Sequence, residues 1–224
     1  MDAPQAVIFD VDGTLIDSVD LHAAAWVEAL RHFGIEVAFG DLRHQIGKGG
    51  DQLLPLFVPA ERLARDEKTI SEFRSDLFKR QYLSRVNPFP GVPALFQRIR
   101  LDGTKIALAS SGTAEEVENY ARIAGVTDLI DVATSATDAE HSKPAPDIFE
   151  AALAKLAPIP AEECIVVGDT PWDVIAAKRA GLRIVGVLCG GFPEHELRDA
   201  GAVAVFKDPE DLFARYDESP LAAR

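Results

Sequence analysis

The chain has 224 residues, 47% of them apolar, and its 36 acidic and 23 basic side chains leave a net charge of −13. That much apolar surface supports one large domain, or a core with a smaller insertion, and excludes a disordered chain. The acidic balance repels nucleic acid and anionic membranes, so an anionic substrate has to be drawn in locally by a cation or a few well-placed bases.

The first element is a short buried strand, Ala6-Val7-Ile8-Phe9, followed at once by Asp10-Val11-Asp12-Gly13-Thr14. Strand alternation puts Asp10 and Asp12 on the same side of the backbone. Two anions crowded there require a cation or a shared proton. Helical periodicity then runs from Val19 to Phe33, from Asp41 to Phe57 and from Ala60 to Leu83, without a buried strand. This pattern predicts a helical insertion over 18–87 within a core formed by 1–17 and 88–224. Its exits are Asp17-Ser18 and the breaker-rich Asn87-Pro88-Phe89-Pro90-Gly91. Inside it, His22 and Trp26 lie one turn apart on one face, with His22 a candidate to face a site and Trp26 a core residue. The loop Ile46-Gly47-Lys48-Gly49-Gly50-Asp51 is a candidate substrate loop, because its glycines permit close approach and Lys48 can meet a second anion.

Beyond the insertion, short apolar runs at Ile106–Ala109, Ile130–Ala133, Ile165–Val167 and Ile184–Val187 read as strands buried on both faces. Ala202–Phe206 adds an edge strand. Amphipathic helices are expected at Ala114–Ala124, Asp147–Lys155, Pro171–Ala180 and Pro209–Tyr216, with a loose tail from Asp217 to Arg224. Strand and helix in alternation give an α/β fold with a parallel sheet. Cys164 and Cys189, the only cysteines, sit in apolar runs without zinc-site spacing and read as small buried thiols. No stretch approaches the roughly 18 apolar residues that span a bilayer, and no leader precedes the first strand, so a cytoplasmic protein is expected.

Four strand ends carry polar groups. After Asp10 and Asp12 come Ser110-Ser111-Gly112-Thr113, then Ser142-Lys143-Pro144, then Gly168-Asp169-Thr170-Pro171-Trp172-Asp173. Singly, each reads equally well as a helix cap or a turn. Together they fall on the carboxyl edge of a parallel sheet, where ligands bind. A helix start beside hydroxyls can hold an anion, and carboxylates flanking a lysine suit phosphoryl chemistry.

This combination resembles the motifs of the haloacid dehalogenase-like (HAD) hydrolase superfamily, in the subgroup of phosphoglycolate phosphatases and β-phosphoglucomutases. Asp10 to Thr14 resembles its Asp-x-Asp-x-Thr signature, and Ser110, Lys143 and Asp169 with Asp173 match its later motifs. The resemblance implies a Rossmann-like core with an inserted helical cap. It implies Asp10 as nucleophile, Asp12 as general acid and base, Lys143 as fixed charge and Ser110 as phosphoryl donor. Mg²⁺ would be held by the Asp10 and Asp169 carboxylates and the Asp12 carbonyl, with Asp173 orienting metal-bound water or Lys143. Thr14, Ser111, Gly112, His22, Lys48 and Gly49 complete the candidate substrate contacts.

The function expected is a Mg²⁺-dependent phosphatase acting on a small phosphorylated metabolite through an aspartyl-phosphate, as a monomer or weak homodimer. Asp12 argues against dehalogenase and phosphonatase chemistry, which do not need a second acid. A sugar-phosphate mutase is the alternative, since His22 and Trp26 resemble a mutase pattern. Against it, Gly168 stands where mutases carry an acid, and the loop at Lys48 lacks their arginine. Retention of Asp10, Asp12 and Lys143 argues against a silent binding protein.

Overall fold

The computed structural model describes residues 3–222. Strand β1 (Ala6–Phe9) has no exposed residue, because strands pair on both its edges. The chain then makes a two-residue strand β2 (Ile16–Asp17) and enters a block of helices: α1 (Val19–His32), α2 (Phe39–Arg43), α3 (Gly50–Leu53) and α4 (Ala60–Gln81). It leaves through β3 (Asn87–Pro88), which pairs antiparallel with β2, so the two connections to the helical block lie side by side. The remainder alternates: α5 (Val92–Leu101), β4 (Lys105–Ala109), α6 (Ala114–Ile123), β5 (Val132–Thr134), α7 (Asp147–Leu156) and β6 (Cys164–Gly168). Then follow α8 (Pro171–Arg179), β7 (Arg183–Val187), α9 (Glu194–Ala200), β8 (Ala204–Phe206) and α10 (Pro209–Ala214).

The main sheet has six strands in the order β5-β4-β1-β6-β7-β8, every neighbouring pair parallel. Alternation along β1 divides the core between its two faces. Val7 and Phe9 join Phe96, Tyr120 and Leu212 on one side, while Ala6 and Ile8 join Phe149, Val174 and Leu197 on the other. Ala25, Leu77 and Phe78 of the helical block belong to the first of these clusters. The block also packs a core of its own around Trp26, Leu30, Leu42 and Ile70. No helix among the described residues is long and apolar enough to cross a membrane.

Four expectations need correction. The single helix expected from Asp41 to Phe57 is α2, a turn, α3 and a 3₁₀ turn at Leu54–Leu56. Gly47 takes φ +103° in the break, a left-handed backbone that cannot continue a helix, and a Cβ there would lie 2.7 Å from Thr170. Helices α5 and α9 had no counterpart in the expectations. The segment from Asp217 is not loose, because Leu221 is fully buried and Tyr216 Oη donates to the Asp102 carboxylate at 2.9 Å; residues 223–224 of that expected tail lie outside the described residues. Cys189 is only half-buried, with its Sγ 3.1 Å from the Gly13 carbonyl, whereas Cys164 is fully enclosed in β6.

Candidate active site

Sheet register assembles the site. Phe9 pairs with Leu108 of β4 and with Val167 of β6, so Asp10, Ser110 and Asp169 emerge at one edge. Two of these strand ends pass into helices through capping boxes, Thr113 with Glu116 before α6 and Thr170 with Asp173 before α8. A capping box satisfies the first helical amides and fixes where its acidic side chain sits.

Lys143 is buried in an ion pair with Asp10, and its Nζ lies 2.7 Å from Asp173 Oδ1. The other Asp173 oxygen accepts from the Thr170 amide at 3.0 Å and the Thr170 hydroxyl at 2.6 Å. Asp173 therefore holds Lys143 against Asp10. Thr14 is fully buried beneath these carboxylates, its hydroxyl 2.9 Å from Asp169 Oδ1 and 3.1 Å from Asp10 Oδ2. It thus braces the acids and is not part of the cavity wall. Burial pushes Asp10 up to about 7, against the pull of Lys143 and with the help of Asp173 and Asp12. Burial, then Asp10 and Asp173, push Asp169 well above the carboxylate range. Burial disfavours the Lys143 cation, but Asp10 and Asp173 outweigh it and raise its proton affinity.

Three buried acids thus face one buried base, a deficit of positive charge. Asp10, Asp169 and Asp173 bring carboxylate oxygens within 4.8 Å of one another. Asp169 Oδ2 is buried without a hydrogen-bond partner, in a seat that a Cβ on Gly13 or Gly190 would fill. Hard oxygen donors, an orphaned oxygen and a charge deficit fit Mg²⁺. Lys143 and the capping box engage the two Asp173 oxygens, and Asp169 Oδ2 is the oxygen left to meet an ion, with Asp10 beside it.

Asp12 has different partners. Its Oδ1 accepts from Ser18 Oγ at 2.6 Å and from His22 Nε2 at 2.8 Å. His22 Nδ1 meets Arg74 Nη2, and a guanidinium only donates, so Nδ1 accepts and Nε2 carries the proton given to Asp12. Phe78 stacks on the His22 ring at 4.1 Å, and Tyr120 Oη lies 3.2 Å from Nε2. Burial acts to raise Asp12, but the His22, Ser18 and Arg74 groups outweigh it and hold the carboxyl below its ordinary value.

The family model described as haloacid dehalogenase-like hydrolase matches residues 4–181, well over half of the chain. The chain belongs to the haloacid dehalogenase-like hydrolases. It is 32% identical over 207 residues to Protein SUPPRESSOR OF QUENCHING 1, chloroplastic, of Arabidopsis thaliana, which covers 91% of this chain but 19% of that longer protein. It is 29% identical over 210 residues to Phosphorylated carbohydrates phosphatase of Thermotoga maritima, covering 93% of this chain and 96% of that one. A solved hydrolase structure from Pseudomonas syringae superposes with a TM-score of 0.84 at 33% identity, covering 95% and 98% of the two chains.

In this HAD hydrolase a cavity of about 410 Å³ lies between the helical block and the sheet edge. Asp10, Asp12, His22, Lys48, Gly49, Ser111 and Gly112 line it, as do Trp26 and the rest of the loop 46–51. Ser110, Lys143, Asp169 and Asp173 stand behind that wall, and Ser110 Oγ accepts from the Gly112 amide at 3.0 Å. Lys48 Nζ donates to Gln45 Oε1 at 2.7 Å and sits 3.9 Å over the Trp172 ring. Trp172 is the platform for Lys48. Desolvation lowers the Lys48 proton affinity. Arg74 and Glu116 also line the cavity and were missed. Ser71, Arg74, Ser75 and Phe78 share one face of α4 by spacing, but in so charged a helix that face reads as solvated. Glu116 was legible only as a helix-start acid.

Proposed function

We propose that this protein is a phosphatase that transfers the phosphoryl group of a small phosphate ester first to Asp10 and then to water. The observation that carries the reading is the Asp10 carboxylate, held against Lys143 at the end of the central strand, with Asp12 beside it in the lining of the same cavity. In the first step an Asp10 oxygen forms a bond to phosphorus while the ester P–O bond breaks. The leaving oxygen takes a proton from Asp12. In the second, Asp12 accepts a proton from water as the water oxygen attacks phosphorus and the Asp10–phosphorus bond breaks. The resting structure favours the Asp12 carboxylate, which is the base form. The approaching phosphate dianion raises its proton affinity and supplies the acid form that the first step needs. Lys143 balances the phosphoryl oxygens, and the Ser111 hydroxyl and Gly112 are placed to meet them. Asp10 and Asp169 would hold Mg²⁺, which when bound would supply the positive charge that keeps Asp10 ionised and offsets the phosphoryl group.

The helical block over 18–87 is the cap in this reading, and the paired β2 and β3 are its stem. A mutase would return the phosphoryl group to sugar. The position before Asp169, where the mutase resemblance calls for an acid, is Gly168, and a Cβ there would lie 2.8 Å from Asp173 Cβ. That space excludes an acid unless the Lys143 support moves. The test is phosphate release from a panel of sugar, polyol, carboxylate and aryl phosphates with and without Mg²⁺. Wild type releases phosphate only with the metal, and Asp10→Asn loses at least about 10³-fold in turnover. An Asn variant that matched wild type would remove Asp10 as nucleophile, and conversion of one sugar phosphate to another without release would make the protein a mutase.

A further inference from the structure

The cavity wall formed by α4 and the start of α6 contains a charge pair that the reaction above does not use. Ser71, Arg74 and Ser75 come from α4, and Thr113 and Glu116 from the first turn of α6. Glu116 is 5% exposed. Its Oε2 is occupied locally, accepting from the Thr113 amide at 2.8 Å and the Thr113 hydroxyl at 3.1 Å. Its Oε1 is buried without a hydrogen-bond partner and lies 3.7 Å from Arg74 Nη1. That separation is too long for a hydrogen bond and short enough for charge pairing. Arg74 is committed on its other side, where Nη2 meets His22, and its guanidinium stands 5.1 Å from the Trp26 ring centre and 5.3 Å from that of Phe78.

Resting on the phosphatase reading, we infer that Glu116 is a specificity-determining residue. It selects esters whose leaving group is uncharged and carries hydroxyls, such as a polyol or sugar monophosphate, and it rejects leaving groups with a second anion. Arg74 is the cation a second carboxylate or phosphate would seek on this wall. Glu116 neutralises it and places a further negative charge in the path of that anion. A hydroxyl, by contrast, donates directly to the unfilled Oε1 and completes a buried acceptor that is costly to leave unpaired. Ser71 and Ser75 offer further neutral donors and acceptors. The other cavity cation, Lys48, is held by Gln45 over Trp172 and desolvated, and Asp51 and Glu140 add negative charge to the lining. A leaving group with a second anion therefore meets Arg74 only beside the Glu116 carboxylate, and Lys48 already held by Gln45.

Glu116→Gln separates charge from fold, because glutamine at this position still completes the capping box. The measurement is kcat/KM for matched esters differing by a terminal hydroxymethyl or carboxylate. Sorbitol phosphate is set against phosphogluconate and glycerol phosphate against phosphoglycerate, with an aryl phosphate alongside. The ratio within each pair cancels effects on the shared chemistry. Wild type should favour the hydroxyl member by at least about tenfold, and Glu116→Gln should reduce that ratio by at least about tenfold, the scale of one charge contact. Adding Arg74→Met to Glu116→Gln should remove the gained turnover of the carboxylate member, since Arg74 is what the glutamine uncovers. A wild-type preference for the carboxylate member, a ratio that Glu116→Gln leaves within about twofold, or turnover of the aryl ester with neither pair would overturn the role of Glu116 while leaving the phosphatase intact. Turnover of no ester at all would remove the phosphatase and this inference with it.

Discussion

Asp10 and Asp12, two residues apart, do not titrate alike, and the difference has consequences at the scale of single groups. Asp10 is pushed up to about 7 by burial, from an ordinary 3.8. The fold therefore binds a proton at Asp10 that the unfolded chain has already released, so stability falls as pH rises through that window. The loss starts near the unfolded value and is complete above about 7. Asp10→Asn cannot ionise and escapes it. In metal-free protein the melting temperature of Asp10→Asn relative to wild type should rise by at least ~3 °C between about pH 5 and about pH 8, roughly 1 kcal/mol for a chain of this size. Mg²⁺ should stabilise wild type more at the higher pH, because its ligands must first lose their protons. A difference that stayed flat across this range would mean that Asp10 titrates like an ordinary carboxylate. Asp12 behaves in the opposite sense: Ser18, His22 and Arg74 favour its ionised form, so it stays charged in the resting site while Asp10 waits for a cation.

At the level of elements, the strands and the groups at their carboxyl ends were legible because both follow from local pattern. Apolar runs too short for helices mark β1, β4, β6 and β7. Parallel pairing then brings Asp10, Ser110 and Asp169 to one edge without any knowledge of distance. The break between α2 and α3 was not legible, because it depends on Gly47 meeting Thr170 from the other side of the cavity. Arg74 and Glu116 were hidden for the same reason: helical spacing places both, but only the approach of α4 to α6 turns them into a facing pair. The loop after β7 carries a further device of this kind. Gly190 does not take a left-handed φ, yet a Cβ there would overlap Asp169 Oδ2. Gly190→Ala thus has no conformational penalty of its own and acts by displacing the carboxylate. Mg²⁺ affinity, read by calorimetric titration, should fall at least about tenfold, the scale of losing a support to a metal ligand. Affinity kept within twofold or so would place the ion away from Asp169.

For the molecule as a whole, the helical block is seated on the sheet edge through contacts that reach the loops after the strands. Arg43 Nη2 donates to the Gly190 carbonyl at 3.2 Å, and its Nε reaches Asp20 at 2.6 Å. Asp51 accepts from the Ser142 amide at 3.1 Å, one residue before Lys143. His44 packs its ring 5.0 Å from that of Phe192, and Lys79 pairs with Glu115 at 2.7 Å. The two connections to the block are joined to each other by the two-residue β2–β3 ladder. So small a stem does not fix the block by itself, and the seated arrangement depends on these scattered polar contacts. Arg43 is the informative one to remove, since it lines neither the cavity nor the carboxylate cluster and yet clamps the loop that holds Asp169. Losing its bond to Gly190 costs about 1 kcal/mol of the seated state, which is about fivefold in the ratio of seated to unseated forms. Arg43→Ala should therefore raise KM, by up to about fivefold, for every ester alike, leave the hydroxyl-to-carboxylate ratio unchanged, and speed amide exchange at Gly190 and Gly191. A changed ratio would place Arg43 in leaving-group recognition, and unchanged KM and exchange would show that the block stays seated without it. A uniform KM effect from so remote a residue would tie closure of the helical block to the support of Asp169, and so make substrate capture and metal-site order a single event.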